Sequence, residues 1–208
     1  MVAVNALRDE PFSDVYGYDR GGPIDRVFIE SFLDKHRNLI RGRVLEVESD
    51  HYARRFGSDL TSVDVLDVYD TNPNATVIAN LSEELPGQYD CVILTQVLQY
   101  MPEPVNALRN AYGALADGGA LLAIVPAIQR VAPGDEGDDY WRFTLAGTRQ
   151  LVRLAVDSEP TELEAFGGLA SSVASLLGLG LWDHRPRNRG DARFATIVGF
   201  VLRKVDES

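Results

Sequence analysis

The feature that most constrains this chain is the alternation of short apolar runs with amphipathic segments. The apolar runs are strand-sized and lie at 43–47, 63–68, 75–80, 89–95, 120–126, 161–167 and 193–204. Apolar residues at helical spacing mark four further segments, 23–39, 104–116, 145–156 and 168–178. Such alternation produces parallel strands covered by helices, because the crossover connections are right-handed. We therefore predict an α/β, doubly wound, mostly parallel seven-stranded sheet with helices on both faces and an antiparallel last strand.

Glycine and proline residues mark the predicted ends of these elements. Pro23 suits the first turn of a helix, and Gly57 is expected to end a short helix within 48–57. The step Asp117-Gly118-Gly119 is expected to end the helix that begins at 104. The polar, glycine-rich stretch 132–144 contains three aromatic residues and predicts a long loop on the substrate side.

Length and composition indicate one domain over residues 1–208, with residues 1–22 as an N-terminal arm or lid. One cysteine, Cys91, excludes an intrachain disulfide and is typical of a reducing compartment, so a cytoplasmic location is expected. The N-terminus lacks the basic and apolar regions of a signal peptide, and no apolar run reaches the length that spans a bilayer. No metal-ligand spacing is present.

The net charge of −11 disfavours polyanionic partners. An acidic surface repels phosphate backbones and anionic lipid, so neither nucleic acid nor a membrane is expected as a partner. The stretch 185–193 contains four arginines and is locally positive, and it is interpreted as a solvated loop. The expected partner is a small-molecule substrate, with a homodimer left open as the assembly.

Four segments together resemble the class I S-adenosylmethionine-dependent methyltransferases. They are VLEVESDHYARRFG (44–57), ATVIANLSEELPGQYDCVILTQVLQYM (75–101), LRNAYGALADGGALLAIVP (108–126) and GDDYWRFT (137–144). The runs YDRGGPIDRVFIESFL (18–33) and YWRFT (140–144) are similar to a small single-domain subgroup associated with sugar or secondary-metabolite modification. The resemblance spans 16–204 and implies a Rossmann-like methyltransferase fold with S-adenosylmethionine as cofactor.

The resemblance also implies cofactor-binding positions. Glu46 matches the acidic residue of the first motif, and the loop through Val47 and Glu48 would wrap the methionine half of the cofactor. Asp67 is the candidate for the carboxylate that accepts both ribose hydroxyls, with Asp64 as the competing choice. The adenine-reading position matches Asn80 and Leu81, and the methyl-transfer site is bordered by Thr95 and Gln96.

The first motif departs from the family because it lacks glycine. The family has E-x-G-x-G, whereas this chain has Glu46-Val47-Glu48-Ser49-Asp50. Glycine permits a positive φ and a close approach of the backbone to the ligand. Either the backbone of this loop follows a different path from that of the family, or cofactor binding is weakened. We favour the different path, because the other motifs of the family can still be recognised in the sequence.

The chemistry of methyl transfer suggests further candidates. A hydroxyl acceptor benefits from a general base, and His51 and Asp139 are the candidates, each also interpretable as a surface group. Tyr140 and Arg142 are expected to bind substrate. Tyr16 and Arg20 are expected to fold over the cofactor, because aromatic rings attract sulfonium.

The predicted function is methyl transfer from S-adenosylmethionine to an oxygen of a small molecule, with a sugar or natural-product hydroxyl as the candidate acceptor. One alternative is a non-catalytic binding or assembly protein that retains the fold without the cofactor. A nicotinamide-dependent oxidoreductase is disfavoured, since residues 46–57 contain no G-x-G-x-x-G.

Overall fold

The computed structural model describes residues 9–205, so the predictions for residues 1–8 lie outside the described part. Five α-helices and seven strands follow the predicted alternation. The helices are α1 (Ile24–Lys35), α2 (His51–Phe56), α3 (Pro104–Gly113), α4 (Leu145–Val156) and α5 (Leu169–Leu176). The strands are β1 (Gly42–Val47), β2 (Leu60–Asp67), β3 (Val77–Ile78), β4 (Tyr89–Thr95), β5 (Leu115–Pro126), β6 (Glu162–Gly167) and β7 (Ala195–Arg203).

All seven strands form one sheet in the order β3-β2-β1-β4-β5-β7-β6. Each neighbouring pair from β3 to β5 is parallel. Strand β7 is antiparallel to both β5 and β6, so it is the one strand of this sheet that runs against the others. The predicted doubly wound, mostly parallel sheet with an antiparallel last strand is therefore confirmed.

Helices cover both faces of the sheet, as predicted. Leu108 of α3 and Leu151 of α4 belong to the apolar cluster on one face. Phe32 of α1, Ala53 of α2 and Ala174 of α5 belong to the cluster on the other face. Strand β4 lies between the two clusters and is buried at five of its seven positions. Its almost wholly apolar sequence follows from this two-sided burial.

The predicted end of the helix that begins at 104 is wrong. Helix α3 ends at Gly113 and not at the Asp117-Gly118-Gly119 step, because Leu115 is already buried and paired with Tyr89 of β4. The step lies inside β5, where the register with β4 shifts between Leu115 and Ala120. Paired burial in the sheet outweighs glycine as a stop signal here.

Strand β3 is shorter than the predicted strand 75–80. It pairs only with the last two residues of β2, at the edge of the sheet. The side-chain oxygen of Asn80 accepts a hydrogen bond from the Ser82 N–H at 2.9 Å, a turn that ends the extended conformation. The long loop 132–144 is present as predicted.

None of the helices within residues 9–205 combines the length and the apolar character needed to cross a bilayer.

Candidate functional site

A cavity of about 790 Å³ lies at the carboxyl ends of β1, β2, β4 and β5. The strand order changes direction between β1 and β4, and crevices at such a switch point are the usual ligand sites of open α/β sheets. The volume is in the range of small-molecule sites. One end, the β1–β2 end, is formed by Glu46, Glu48, Asp67 and Asn72; the other, the β4–β5 end, by Asp25, Gln96, Gln99 and Gln129.

Glu46 joins the end of β1 to the start of α2. Its carboxylate accepts hydrogen bonds from the backbone N–H groups of Tyr52 at 3.0 Å and Ala53 at 2.7 Å. Burial in the sheet raises the pKa of Glu46 to about 7, and the two N–H donors oppose this shift. Because both oxygens face the helix, Glu46 shapes the loop that lines the cavity.

Glu48, at the position where the family's first motif has glycine, adopts a left-handed backbone conformation. Its φ is +69°, in the left-handed region. The Glu48 N–H donates to the Leu66 carbonyl at 2.9 Å, and its carbonyl accepts from the Asn72 side chain at 2.9 Å. These two bonds hold a non-glycine residue in a conformation that costs it about 1–2 kcal/mol. The loop therefore retains a left-handed turn at the position of the missing glycine.

Asp67 lines the cavity at the end of β2, whereas its competitor Asp64 does not. The Asp67 carboxylate accepts from the Tyr69 N–H at 3.0 Å and from Asn72 Nδ2 at 2.7 Å, and these bonds lower its pKa. Asp64 pairs instead with Arg43 at 2.7 Å. Asn72 thus connects the turn after β1 to the carboxylate after β2.

A carboxylate with two amide partners forms the β4–β5 end. Asp25 Oδ2, in the first turn of α1, accepts from Gln129 Nε2 at 2.9 Å and from Gln96 Nε2 at 3.3 Å. Burial raises the pKa of Asp25, and the two amides oppose that shift. Gln96 has a φ of +55°, so its backbone also takes a left-handed turn at the tip of β4.

Two amide oxygens at this end have no hydrogen-bond donor among residues 9–205. They are Gln96 Oε1 and Gln99 Oε1, and both atoms are buried. Gln99 is only 5% exposed and donates its Nε2 to the Gln96 carbonyl at 2.9 Å. Buried acceptors without donors are rare in native proteins. With Asp25 they make this end of the cavity a surface suited to a ligand that carries N–H or O–H donors.

Arg142 and Asp139 form an ion pair that shapes the 132–144 loop. The Asp139 side chain is 3% exposed, and both its oxygens accept from Arg142. The remaining Arg142 donors reach the carbonyls of Gln129 at 3.0 Å, Arg130 at 2.9 Å and Trp141 at 2.8 Å. All five guanidinium N–H groups are thereby used. Both residues line the cavity, and in this structure Arg142 anchors the loop with Asp139 as its counter-ion.

The other expected site residues divide into two groups. Tyr16, Val47 and His51 line the cavity. Tyr16 packs against Arg130, whose guanidinium lies 4.9 Å from the ring centroid. Four residues stand outside the cavity lining, namely Arg20, Asn80, Leu81 and Tyr140.

Each of these four has another structural role. Arg20 forms a two-pronged ion pair with Asp183, with both bonds at 2.7 Å. Leu81 is a core residue at 3% exposure, because it packs in the cluster under α3. The Asn80 side chain is used in its own turn, and the Tyr140 hydroxyl contacts Asp138 at 3.3 Å. The Arg20–Asp183 pair anchors the N-terminal arm.

The sequence analysis missed Asp25, Asn72, Gln99 and Gln129 as site residues. Gln129 follows strand β5, and the rule that ligands bind beyond the carboxyl ends of strands points to such a position. No comparable sequence feature places Asp25 in the site, since the amphipathic pattern of α1 shows only that this position is polar.

Comparisons with known proteins agree with the fold and the cavity. Residues 41–123 match a family model described as a methyltransferase domain. No curated protein sequence matches the chain significantly.

Several solved structures are similar at low sequence identity. An S-adenosylmethionine-dependent methyltransferase from Mesorhizobium loti has 14% identity and a TM-score of 0.57, covering 88% of this chain and 99% of its own. The N-methyltransferase NodS from Bradyrhizobium japonicum, solved with S-adenosyl-L-homocysteine, has 12% identity and a TM-score of 0.55, covering 96% and 94%. The [4+2]-cyclase SpnF has 16% identity and a TM-score of 0.55, covering 86% and 81%.

The matched residues include β1, α2, β2 and β4 and most of the residues that line the cavity. Residues 41–123 therefore match a methyltransferase-domain model, and the chain shares the fold of the methyltransferases among these structural neighbours.

Proposed function

We propose that this protein transfers a methyl group from S-adenosylmethionine to an oxygen of a small molecule. The observation that carries the proposal is the open cavity at the switch point, whose first turn keeps a left-handed residue, Glu48, without the family's glycine. The chain's own side chains do not fill this cavity. The family match to a methyltransferase domain supports the same activity.

In the proposed arrangement the cofactor occupies the β1–β2 end. Asp67 accepts the two ribose hydroxyls, since a carboxylate has acceptor positions for both. The turn through Val47 and Glu48 borders the methionine half of the cofactor. The Tyr16 ring, on the arm before α1, adds an aromatic face toward the sulfonium.

The acceptor then occupies the β4–β5 end. Methyl transfer is an in-line displacement, so the acceptor atom must be held about 3 Å from the methyl group. Asp25, Gln96 and Gln99 offer oxygen acceptors that orient a hydroxyl. Burial raises the pKa of Asp25, which makes its carboxylate a stronger base for the hydroxyl proton, and His51 remains a second candidate for this role.

A calorimetric titration with S-adenosylmethionine and S-adenosylhomocysteine tests the proposal. We expect micromolar binding by the full chain and a loss of about 10-fold or more in Asp67→Asn, because a charge-assisted hydrogen bond is removed. Asp64→Asn is the matched control. It removes a carboxylate from the same strand outside the cavity, so it should leave the affinity unchanged.

No heat at millimolar ligand would instead support a non-catalytic binding or assembly protein. The missing glycines of the first motif are the observation that favours this second candidate. Equal losses in the two aspartate variants would refute the assignment of Asp67.

A further inference from the structure

A second cavity, of about 650 Å³, lies apart from the first and shares none of its lining residues. It is formed between the start of α5 and the segment 184–189, and three of its lining residues are Arg185, Arg187 and Arg189. We name it the arginine cavity. Strand β6 ends at Gly167 and runs parallel to β5, so this cavity opens at the same edge of the sheet as the candidate active site.

All three arginines line the arginine cavity. They alternate along a segment without helix or turn, and alternate residues of an extended chain share one side. No carboxylate among residues 9–205 lies within ion-pair distance of any of the three guanidinium groups. In a chain with a net charge of −11, three arginines that line one cavity without counter-ions make this part of the surface locally positive.

The segment that carries the arginines is held at both ends. At one end, the His184 ring nitrogen lies 3.1 Å from the hydroxyl of Ser171, which is 3% exposed. At the other end, the Arg189 N–H donates to the Gly167 carbonyl at 3.0 Å, and the Gly167 N–H donates to Asn188 at 3.1 Å. The arginine cavity is therefore built on fixed backbone positions.

The start of α5 adds backbone donors to the same cavity. Its N-cap residue is Gly168, which has no side chain to accept from the first N–H groups of the helix. A Cβ atom on Gly168 would lie 3.2 Å from the Cβ of Arg189, so the arginine stem passes directly over the uncapped helix end. Free N–H groups and the positive end of a helix favour an anion.

One acidic residue, Asp191, also lines the arginine cavity. Its carboxylate accepts from Arg193 at 2.8 Å, and this partner lowers the pKa of Asp191. The charge of Asp191 is therefore balanced outside the set of three arginines.

We propose that the arginine cavity binds a phosphate-bearing small molecule. A guanidinium group can donate two parallel hydrogen bonds to two oxygens of a phosphate. The uncapped start of α5 supplies backbone N–H groups that can also donate to phosphate oxygens. A phosphate has several acceptor oxygens, which matches donors that approach from the helix and from the arginine segment. This site is independent of the methyl-transfer proposal.

Titration calorimetry at low salt with inorganic phosphate, pyrophosphate and glycerol phosphate tests the site. We expect saturable binding, with the preferred probe telling whether the site takes free phosphate or a phosphate ester. In the triple variant Arg185→Gln, Arg187→Gln, Arg189→Gln the affinity should fall by about 10-fold or more, because charge-assisted hydrogen bonds are lost. The three side chains are exposed, and circular dichroism should show an unchanged fold.

The matched control is the triple variant Arg37→Gln, Arg149→Gln, Arg153→Gln. It removes the same net charge from exposed arginines that do not line the cavity. Binding unchanged in the control and lost in the cavity variant supports the proposal. Equal losses in both variants, or no binding at about 10 mM ligand, would overturn it. Binding to anionic vesicles or RNA without binding to the phosphate probes would also overturn it.

Discussion

At the scale of single residues, unusual backbone conformations concentrate at the candidate active site. Five non-glycine residues among 9–205 have a positive φ, and three of them, Tyr16, Glu48 and Gln96, line the cavity. Strained residues persist where the surroundings hold them, and such positions cluster at functional sites. Glu48 and Gln96 sit at the tips of β1 and β4, on either side of the switch point.

The variant Glu48→Gly tests how the first turn works without glycine. We expect several-fold tighter binding of S-adenosylmethionine, because glycine takes the same left-handed conformation without a side chain in the cavity. The control is Asp59→Gly, a change at φ +52° outside the cavity, which should leave the affinity unchanged. Weaker binding in Glu48→Gly would show that the carboxylate contacts the cofactor's ammonium.

At the scale of elements, buried polar side chains fix how strands connect to the helices and loops around the cavity. Glu46 binds the start of α2 to the end of β1, and Asn72 binds the turn after β1 to that after β2. Arg142 fixes the loop 132–144 to the carbonyls that follow β5. The walls of the cavity are therefore set by hydrogen bonds between residues 5 to 24 positions apart in sequence.

The Glu46 contact predicts a pH dependence of stability. Its pKa is raised from 4.5 to about 7, so the folded state holds this proton more tightly than the unfolded state does. Its contribution is therefore complete below pH 4.5 and is lost as the pH rises through 7. We expect the free energy of unfolding to fall by at most roughly 3 kcal/mol across this window.

The measurement is urea unfolding of the wild type and Glu46→Gln at pH 4.5 and at pH 8. The difference between the two proteins should change with pH in favour of the variant, since glutamine does not titrate. Parallel pH profiles would show that burial does not raise the pKa of Glu46.

At the scale of the whole molecule, two apolar clusters share a single sheet. Strands β1, β4, β5 and β7 contribute side chains to both clusters, so neither layer of helices has a core of its own. The N-terminal arm is also joined to the C-terminal half, through Arg20 and Asp183. This arrangement supports the prediction of one domain.

A single domain should unfold in one cooperative transition. The side-chain N–H of Trp141 donates to the Met101 carbonyl at 2.9 Å, so its fluorescence follows the 132–144 loop, while far-ultraviolet circular dichroism follows the helices. We expect the two probes to give the same midpoint in a thermal or denaturant scan. Separate midpoints would show that the loop or one helical layer unfolds on its own.

The sequence by itself determined the sheet, its strand number and the antiparallel last strand. The spacing of apolar residues within a segment predicts which face of that helix or strand is buried, and this pattern can be read from the segment alone. The boundaries of α4 were predicted from its apolar register alone and match the structure, Leu145–Val156. Resemblance of the motifs to the methyltransferases then directed attention to Glu46, Asp67 and Gln96, which all line the cavity.

Only the tertiary structure decided which polar residues meet. Asp25 lies 71 residues before Gln96 and 104 before Gln129, and no pattern within α1 signals that these side chains share a wall. Arg142 was expected to bind substrate; the structure directs two of its donors to the carbonyls of Gln129 and Arg130, which lie 13 and 12 residues earlier in the chain. The apolar pattern of each segment predicts which of its residues are buried. A hydrogen-bonded site depends instead on how separate segments are placed relative to one another in the folded protein.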